Sequence, residues 1–69
     1  MKLIVNGEAR HFLSPAATLS VAALVDALGY TGKRIAVERN GEIVPRGRHA
    51  EVLLDEGDHI EIVVAVGGG

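Results

Sequence analysis

Apolar and polar residues alternate most clearly near the end of the chain. From Ile60 to Val66, the residues Ile60, Ile62, Val64 and Val66 fall on one face of a strand, and His59, Glu61, Val63 and Ala65 fall on the other. Such a strand belongs in a sheet with one face against a core. Lys2 to Val5 is a second short apolar run, with Leu3 and Val5 on the expected core face and Ile4 on the opposite face with Lys2. Asn6-Gly7 follows it, and both residues tolerate the positive φ of a tight type I′ turn, so Glu8 to Leu13 reads as a returning strand. A second Asn-Gly pair, Asn40-Gly41, joins a strand over Arg34 to Arg39, with Ile35 and Val37 inward, to a short strand over Glu42 to Val44 that Pro45 stops.

Between the hairpins the period changes from two to 3.6. Ser14-Pro15 breaks the preceding strand, and Val21, Leu24, Val25 and Leu28 then recur at the spacing of an amphipathic helix. Ser20 is placed as its N-cap, in better phase with that stripe than Thr18. Leu19 before the cap and Leu24 at the fourth helical position form a hydrophobic staple, and Gly29 is placed to end the helix in the left-handed conformation. Arg46 to Leu54 has no clear period and reads as a loop with a turn of helix. Asp55-Glu56-Gly57-Asp58 is turn chemistry leading into the last strand.

The order is strand, strand, helix, strand, strand, strand. The first and last strands are the most apolar, so they are placed central, adjacent and parallel. This predicts an α+β domain, a mixed sheet of four to five strands crossed on one face by one helix, which is the β-grasp (ubiquitin-like) arrangement. Its expected extent is residues 1–66, with residues 67–69 as a flexible glycine tail.

Composition narrows the class. A 69-residue chain buries only about 60% of the surface that its unfolded form exposes. With no cysteine it has neither disulfides nor thiolate metal sites to compensate, so its Val, Ile, Leu and Ala must supply the core. A net charge of −2, one Tyr, one Phe and no Trp argue against nucleic-acid binding. No apolar run approaches the ~20 residues needed to span a bilayer, and the start does not resemble a signal peptide. A cytoplasmic protein is expected.

The candidate chemistry lies at Gly67-Gly68-Gly69. Three extended residues reach roughly 10 Å past the body of the domain, without side chains, toward a terminal carboxylate. A frayed terminus or a linker fits the same composition. His11, His49 and His59 lie in three separate segments without metal-ligand spacing. Asp55, Glu56 and Asp58 lack the alternating oxygen ligands of a calcium loop and read as a solvated turn. Arg34, Arg39, Arg46 and Arg48 read as solvent-facing charges or as a steering surface for an acidic partner. If Ile4, Val63 and Ala65 line the outer sheet face, they form a modest apolar patch for a partner.

Taken together, the opening strand with Asn6-Gly7, the helix from Ser20 to Leu28, and Ala36-Val37 running into Asn40-Gly41 are distinctive. So are Ile43-Val44-Pro45-Arg46, Gly57-Asp58 before Ile60-Glu61-Ile62, and the final Gly68-Gly69. In these features the chain resembles the small ubiquitin-like sulfur carrier proteins (ThiS/MoaD-like), most closely the carrier of thiazole formation in thiamin biosynthesis. It departs from them in a longer Ser14–Leu19 link, in His49 where an aromatic residue is common, and in the added Gly67. The resemblance implies a carrier without a cofactor, not an enzyme. An E1-like adenylyltransferase would use ATP to adenylylate the Gly69 carboxylate, and a persulfide sulfur donor would convert it to a thiocarboxylate. Thiazole synthase would then consume the sulfur, with Gly67 and Gly68 recognised in the tail channel of each partner. The alternatives are the small subunit of molybdopterin synthase, or a protein modifier conjugated through Gly69.

Overall fold

The structure, a computed structural model, describes residues 1–13 and 18–65. The elements are β1 (Lys2–Val5), β2 (Glu8–His11), α1 (Val21–Ala27), β3 (Ile35–Arg39), β4 (Glu42–Val44), a 3₁₀ turn (Arg46–Arg48) and β5 (His59–Val64). The strands form one five-stranded sheet in the order β2-β1-β5-β3-β4. β1 and β5 are adjacent and parallel, and every other pairing is antiparallel. This mixed sheet crossed by one helix is the β-grasp arrangement expected from the pattern.

Both hairpins close with two-residue loops, Val5 opposite Glu8 and Arg39 opposite Glu42. Their central residues all have positive φ: 49° at Asn6 and 83° at Gly7, 50° at Asn40 and 87° at Gly41. This is type I′ geometry, whose twist matches that of the flanking strands. The strands are shorter than the pattern suggests. β2 ends at His11, and Leu13 is almost wholly exposed. β3 begins at Ile35, and β5 ends at Val64. Backbone pairing nevertheless runs on beyond these ends, through Phe12 N–H to Met1 O at 2.8 Å and Ala65 N–H to Arg34 O at 2.8 Å.

The helix is fixed at both ends by local chemistry. Ser20 Oγ accepts the Ala23 amide at 3.0 Å, and the staple pair Leu19 and Leu24 are both buried. At the other end Gly29 N–H donates to Asp26 O and Tyr30 N–H to Val25 O, both 3.0 Å, the paired bonds of a Schellman motif. Tertiary contacts complete the N-terminus: Val21 N–H donates to Val52 O at 2.9 Å and Ala22 N–H to His49 O at 2.8 Å. With Leu24 N–H on Ser20 O at 3.0 Å, the first four amides of the helix are all occupied. The segment after the 3₁₀ turn is therefore a strap across the start of the helix. A bridge between Ser20 and Leu53 and the Leu54 N–H bond to Leu19 O at 2.8 Å hold it there.

The core lies between helix and sheet. Leu3 and Val5 of β1, Ile60 and Ile62 of β5, Val37 of β3 and Val44 of β4 meet Val21, Leu24 and Val25 of the helix, with Leu19 and Leu54. Ile35, expected inward, packs at the margin half-buried. All of β2 is exposed, so this edge strand completes the sheet without entering the core.

β5 is gripped from both sides by side-chain amides. On the β1 flank, Asn6 Oδ1 accepts Ile62 N–H at 2.8 Å while its Nδ2 donates to Ile62 O at 3.2 Å. On the β3 flank, Asn40 Oδ1 accepts His59 N–H at 2.9 Å and Nδ2 donates to Asp58 Oδ1 at 3.0 Å. Each amide thus takes the place of a peptide group just where the neighbouring strand turns away. Replacing Asn6 with Gly keeps the positive φ but removes both bonds. We expect Asn6→Gly to lower stability by about 1–2 kcal/mol in urea unfolding and to speed exchange of the Ile62 amide hydrogen. Unchanged exchange at Ile62 would count against the clamp.

Candidate functional site: the root of the C-terminal strand

β5 is the strand from which the glycine tail continues. Gly67, Gly68 and Gly69 lie outside the described residues, as does Val66.

At its start, Asp58 anchors the strand. Its residue exposure is only 9%, and its carboxylate accepts three hydrogen bonds: from Arg39 Nε at 2.7 Å, Asp55 N–H at 2.8 Å and Asn40 Nδ2 at 3.0 Å. Burial pushes the carboxyl pKa up. The Asp55 amide, the Asn40 amide and the Arg39 guanidinium more than offset it, so the pKa lies below its ordinary value. In return, the hydrogen bond to Asp58 holds the Arg39 guanidinium above its ordinary value against partial desolvation. Arg39 also reaches Asp55 at 2.8 Å, but the Asp55 side chain is 82% exposed, so solvent screens that pair and Asp58 dominates. Two expectations are corrected here. Asp58 is a buried anchor and not part of a solvated turn, and Arg39 is an ion-paired member of that anchor and not a solvent-facing charge.

At the far end, Val63 and Ala65 line a shallow groove of about 300 Å³ with Arg34, Ile35, Ala36 and Arg46. Arg46 Nη2 donates to Lys33 O at 3.1 Å, which holds its guanidinium beside the groove. The root of the tail is thus apolar on the strand and cationic at the margin. Arg48 instead pairs with Glu51 at 3.4 Å. Among the described residues no three His, Asp or Glu side chains gather as a metal site. His49 sits half-buried with Nε2 3.1 Å from Val44 O, a bond to which the ring contributes the hydrogen.

The three residues of the expected apolar patch all point to the outer face but do not form one cluster. Ile4 is half-buried opposite Ala9 and His59, whereas Val63 is 63% exposed opposite Ala36. Four residues of β5, roughly 13 Å, separate their levels. Between them lies Glu61, directly opposite Glu38 on β3. Ile43, 65% exposed and opposite Glu38 on β4, joins this face and was not singled out from the sequence. The alternating pattern of so short a strand offers little signal for it.

A five-stranded mixed sheet with a parallel central pair and a single crossing helix defines a ubiquitin-like protein. Comparison with known proteins makes this specific. The ThiS family model matches residues 3–69, and the chain belongs to that family. It is 33% identical to a crystal structure of the thiamine biosynthesis protein ThiS from Geobacter metallireducens, with a TM-score of 0.80 and 100% coverage of both chains. It is also 48% identical over 69 residues to a thiazole synthase of Paramagnetospirillum magneticum and 42% identical to one of Magnetococcus marinus. The whole of this chain is covered in both matches, but it spans only 20% of the length of those two relatives.

The depressed pKa of Asp58 fixes a sign for pH dependence. Ionised Asp58 is favoured more in the folded than in the unfolded chain. Its contribution is therefore complete above the unfolded carboxyl value, about 3.9, and is lost as pH falls through the lower folded value. We expect Asp58→Ala to cost about 2–4 kcal/mol at neutral pH. The gap between variant and parent should be constant from about pH 5 to 8 and shrink below about pH 4 in urea titrations across pH. A gap that persists undiminished at the lowest pH would show that packing, not charge, accounts for the loss.

Proposed function

We propose that this chain is a sulfur carrier of thiamin synthesis whose Gly69 carboxyl is adenylylated and then converted to a thiocarboxylate. The observation that carries the reading is that the ThiS family match extends from Leu3 in the first strand to Gly69. The fold supports it, because the most firmly held strand of the sheet is the one that leads into the glycines.

The chemistry asks for such a tail. A carboxylate is a poor acyl donor until one oxygen becomes part of a leaving group, which adenylylation by an E1-like adenylyltransferase with ATP provides. Attack by the terminal sulfur of a persulfide on the acyl carbon expels AMP and gives an acyl disulfide. A second thiol then attacks the donor's sulfur, forming a disulfide with it and releasing the thiocarboxylate. Both activated species survive best in a pocket that excludes water. Gly67 and Gly68 let the backbone enter a narrow channel that a Cβ would obstruct. Thiazole synthase is the receiving enzyme in this reading, in keeping with the two relatives of that name. In those relatives the matching segment belongs to a chain about five times as long. There, a free glycine carboxyl requires either that the segment ends the chain or that the chain is cleaved after it.

The carrier itself performs no chemistry in this scheme. Delivery of sulfur to molybdopterin and conjugation to target lysines remain the competing uses of the same tail. Intact mass spectrometry after incubation with the adenylylating enzyme, ATP and a sulfur source separates a carrier from a modifier, and rescue of a thiamin auxotroph separates thiazole from molybdopterin. The expected result is one oxygen-for-sulfur exchange confined to the C-terminal peptide, with rescue of a thiamin auxotroph. Recovery of high-molecular-weight conjugates would favour the modifier instead. Gly68→Val should leave the melting temperature unchanged and abolish ATP–pyrophosphate exchange with the adenylylating enzyme. Deletion of Gly69 should do the same, and normal exchange by either variant would overturn the assignment.

A further inference from the structure

The outer face of the sheet carries an arrangement that the isolated domain does not explain. Glu38 and Glu61 are directly opposite on β3 and β5, and both point away from the core, since their neighbours Val37, Ile60 and Ile62 are buried. Directly opposed residues have Cβ atoms about 4.5–5.5 Å apart, and like charges so placed destabilise a sheet. Neither carboxylate has an ion-pair partner among the described residues; the cations that do pair, Arg39 and Arg48, are bound to Asp55, Asp58 and Glu51.

This pair is flanked by the two most exposed large apolar residues of the described strands. Ile43 lies opposite Glu38 in the same row, and Val63 with Ala36 forms the next row toward the tail. One row further, Ala65 meets Arg34, whose neighbour in the groove is Arg46. Along β5 toward the tail, the face thus runs from anionic through apolar to cationic. A partner that fits it must present a cation far from the tail entrance, apolar groups in the middle and an acidic group beside the entrance. The order fixes the direction in which β5 runs across the docked partner.

We propose that this face docks on the body of a thiazole synthase, with a lysine or arginine of that enzyme seated on the Glu38–Glu61 pair. The two relatives named thiazole synthase argue for this occupant, since they carry a segment 48% and 42% identical to this chain together with a much longer remainder. The proposal rests on the carrier reading above and adds the surface and its charge order. A cation placed between the two carboxylates relieves their repulsion only in the complex. Binding therefore recovers what the free domain loses.

The test uses the 69-residue chain and the thiazole synthase of the same organism, with binding measured by calorimetry at low and moderate salt. Glu38→Gln and Glu61→Gln should each raise the melting temperature of the free chain by a few degrees and yet weaken binding by about tenfold, with a shallower salt dependence. Glu61→Lys should weaken it further, and Val63→Ser should weaken it without changing the salt dependence. Binding by Glu61→Lys within about twofold of the parent would overturn the proposal, as would failure of the parent to bind thiazole synthase at all. Sulfur loading of Gly69 is followed separately by mass. Loss of loading with docking intact would refute the carrier reading, whereas loading with unaltered binding by the glutamate variants would refute this surface.

Discussion

The structure depends on how β5 is held at the middle of the sheet. A central strand needs partners on both flanks, but β1 on one side ends at Val5 and β3 on the other ends at Arg39. The carboxamides of Asn6 and Asn40 fill the gaps beyond those ends, each offering one acceptor and one donor to backbone or carboxylate groups at β5. The same residues adopt the positive φ that closes the two hairpins. Turn formation and strand clamping are thereby coupled, because a turn that opened would also release the strand.

Asp58 extends this coupling to charge. It joins the Asp55 turn, the β3 residue Arg39 and the second hairpin at Asn40, so that the start of β5 cannot shift without breaking a hydrogen-bonded carboxylate. The helix end that could have offered free amides is closed instead by Ser20, His49 and Val52. Among the described residues, Glu38 and Glu61 on the outer sheet face have no ion-pair partner, whereas Arg46 at the groove is held by Lys33 O.

Much of the fold was legible because its determinants act over a few residues. The two Asn-Gly turns, the Ser20 cap, the Leu19–Leu24 staple and the end of the helix at Gly29 each depend on neighbours within a turn of chain. The core faces of β1 and β5 followed from a period of two, and the parallel central pair followed from their apolar content. The extents of strands were less legible: β2 and β3 are shorter than their patterns suggest, because where a strand ends depends on its neighbour in the sheet as well as on its own residues. The side-chain roles of Asn6 and Asp58 were hidden for a related reason. Asn6 meets a residue 56 positions away, and Asp58 and Arg39 are 19 apart, so no local pattern distinguishes them from ordinary turn and surface residues.

The sequence by itself therefore determined the elements, their order, the helix ends and the family, because periodicity, capping and turn preference are properties of short segments. Only the tertiary structure decided that Asp58 is buried, that Asn6 and Asn40 act as surrogate strand, and that Glu61 faces Glu38. It also decided that Ile4 stands apart from Val63. These outcomes depend on register between strands distant in the chain, and register is set by the packing of the whole core.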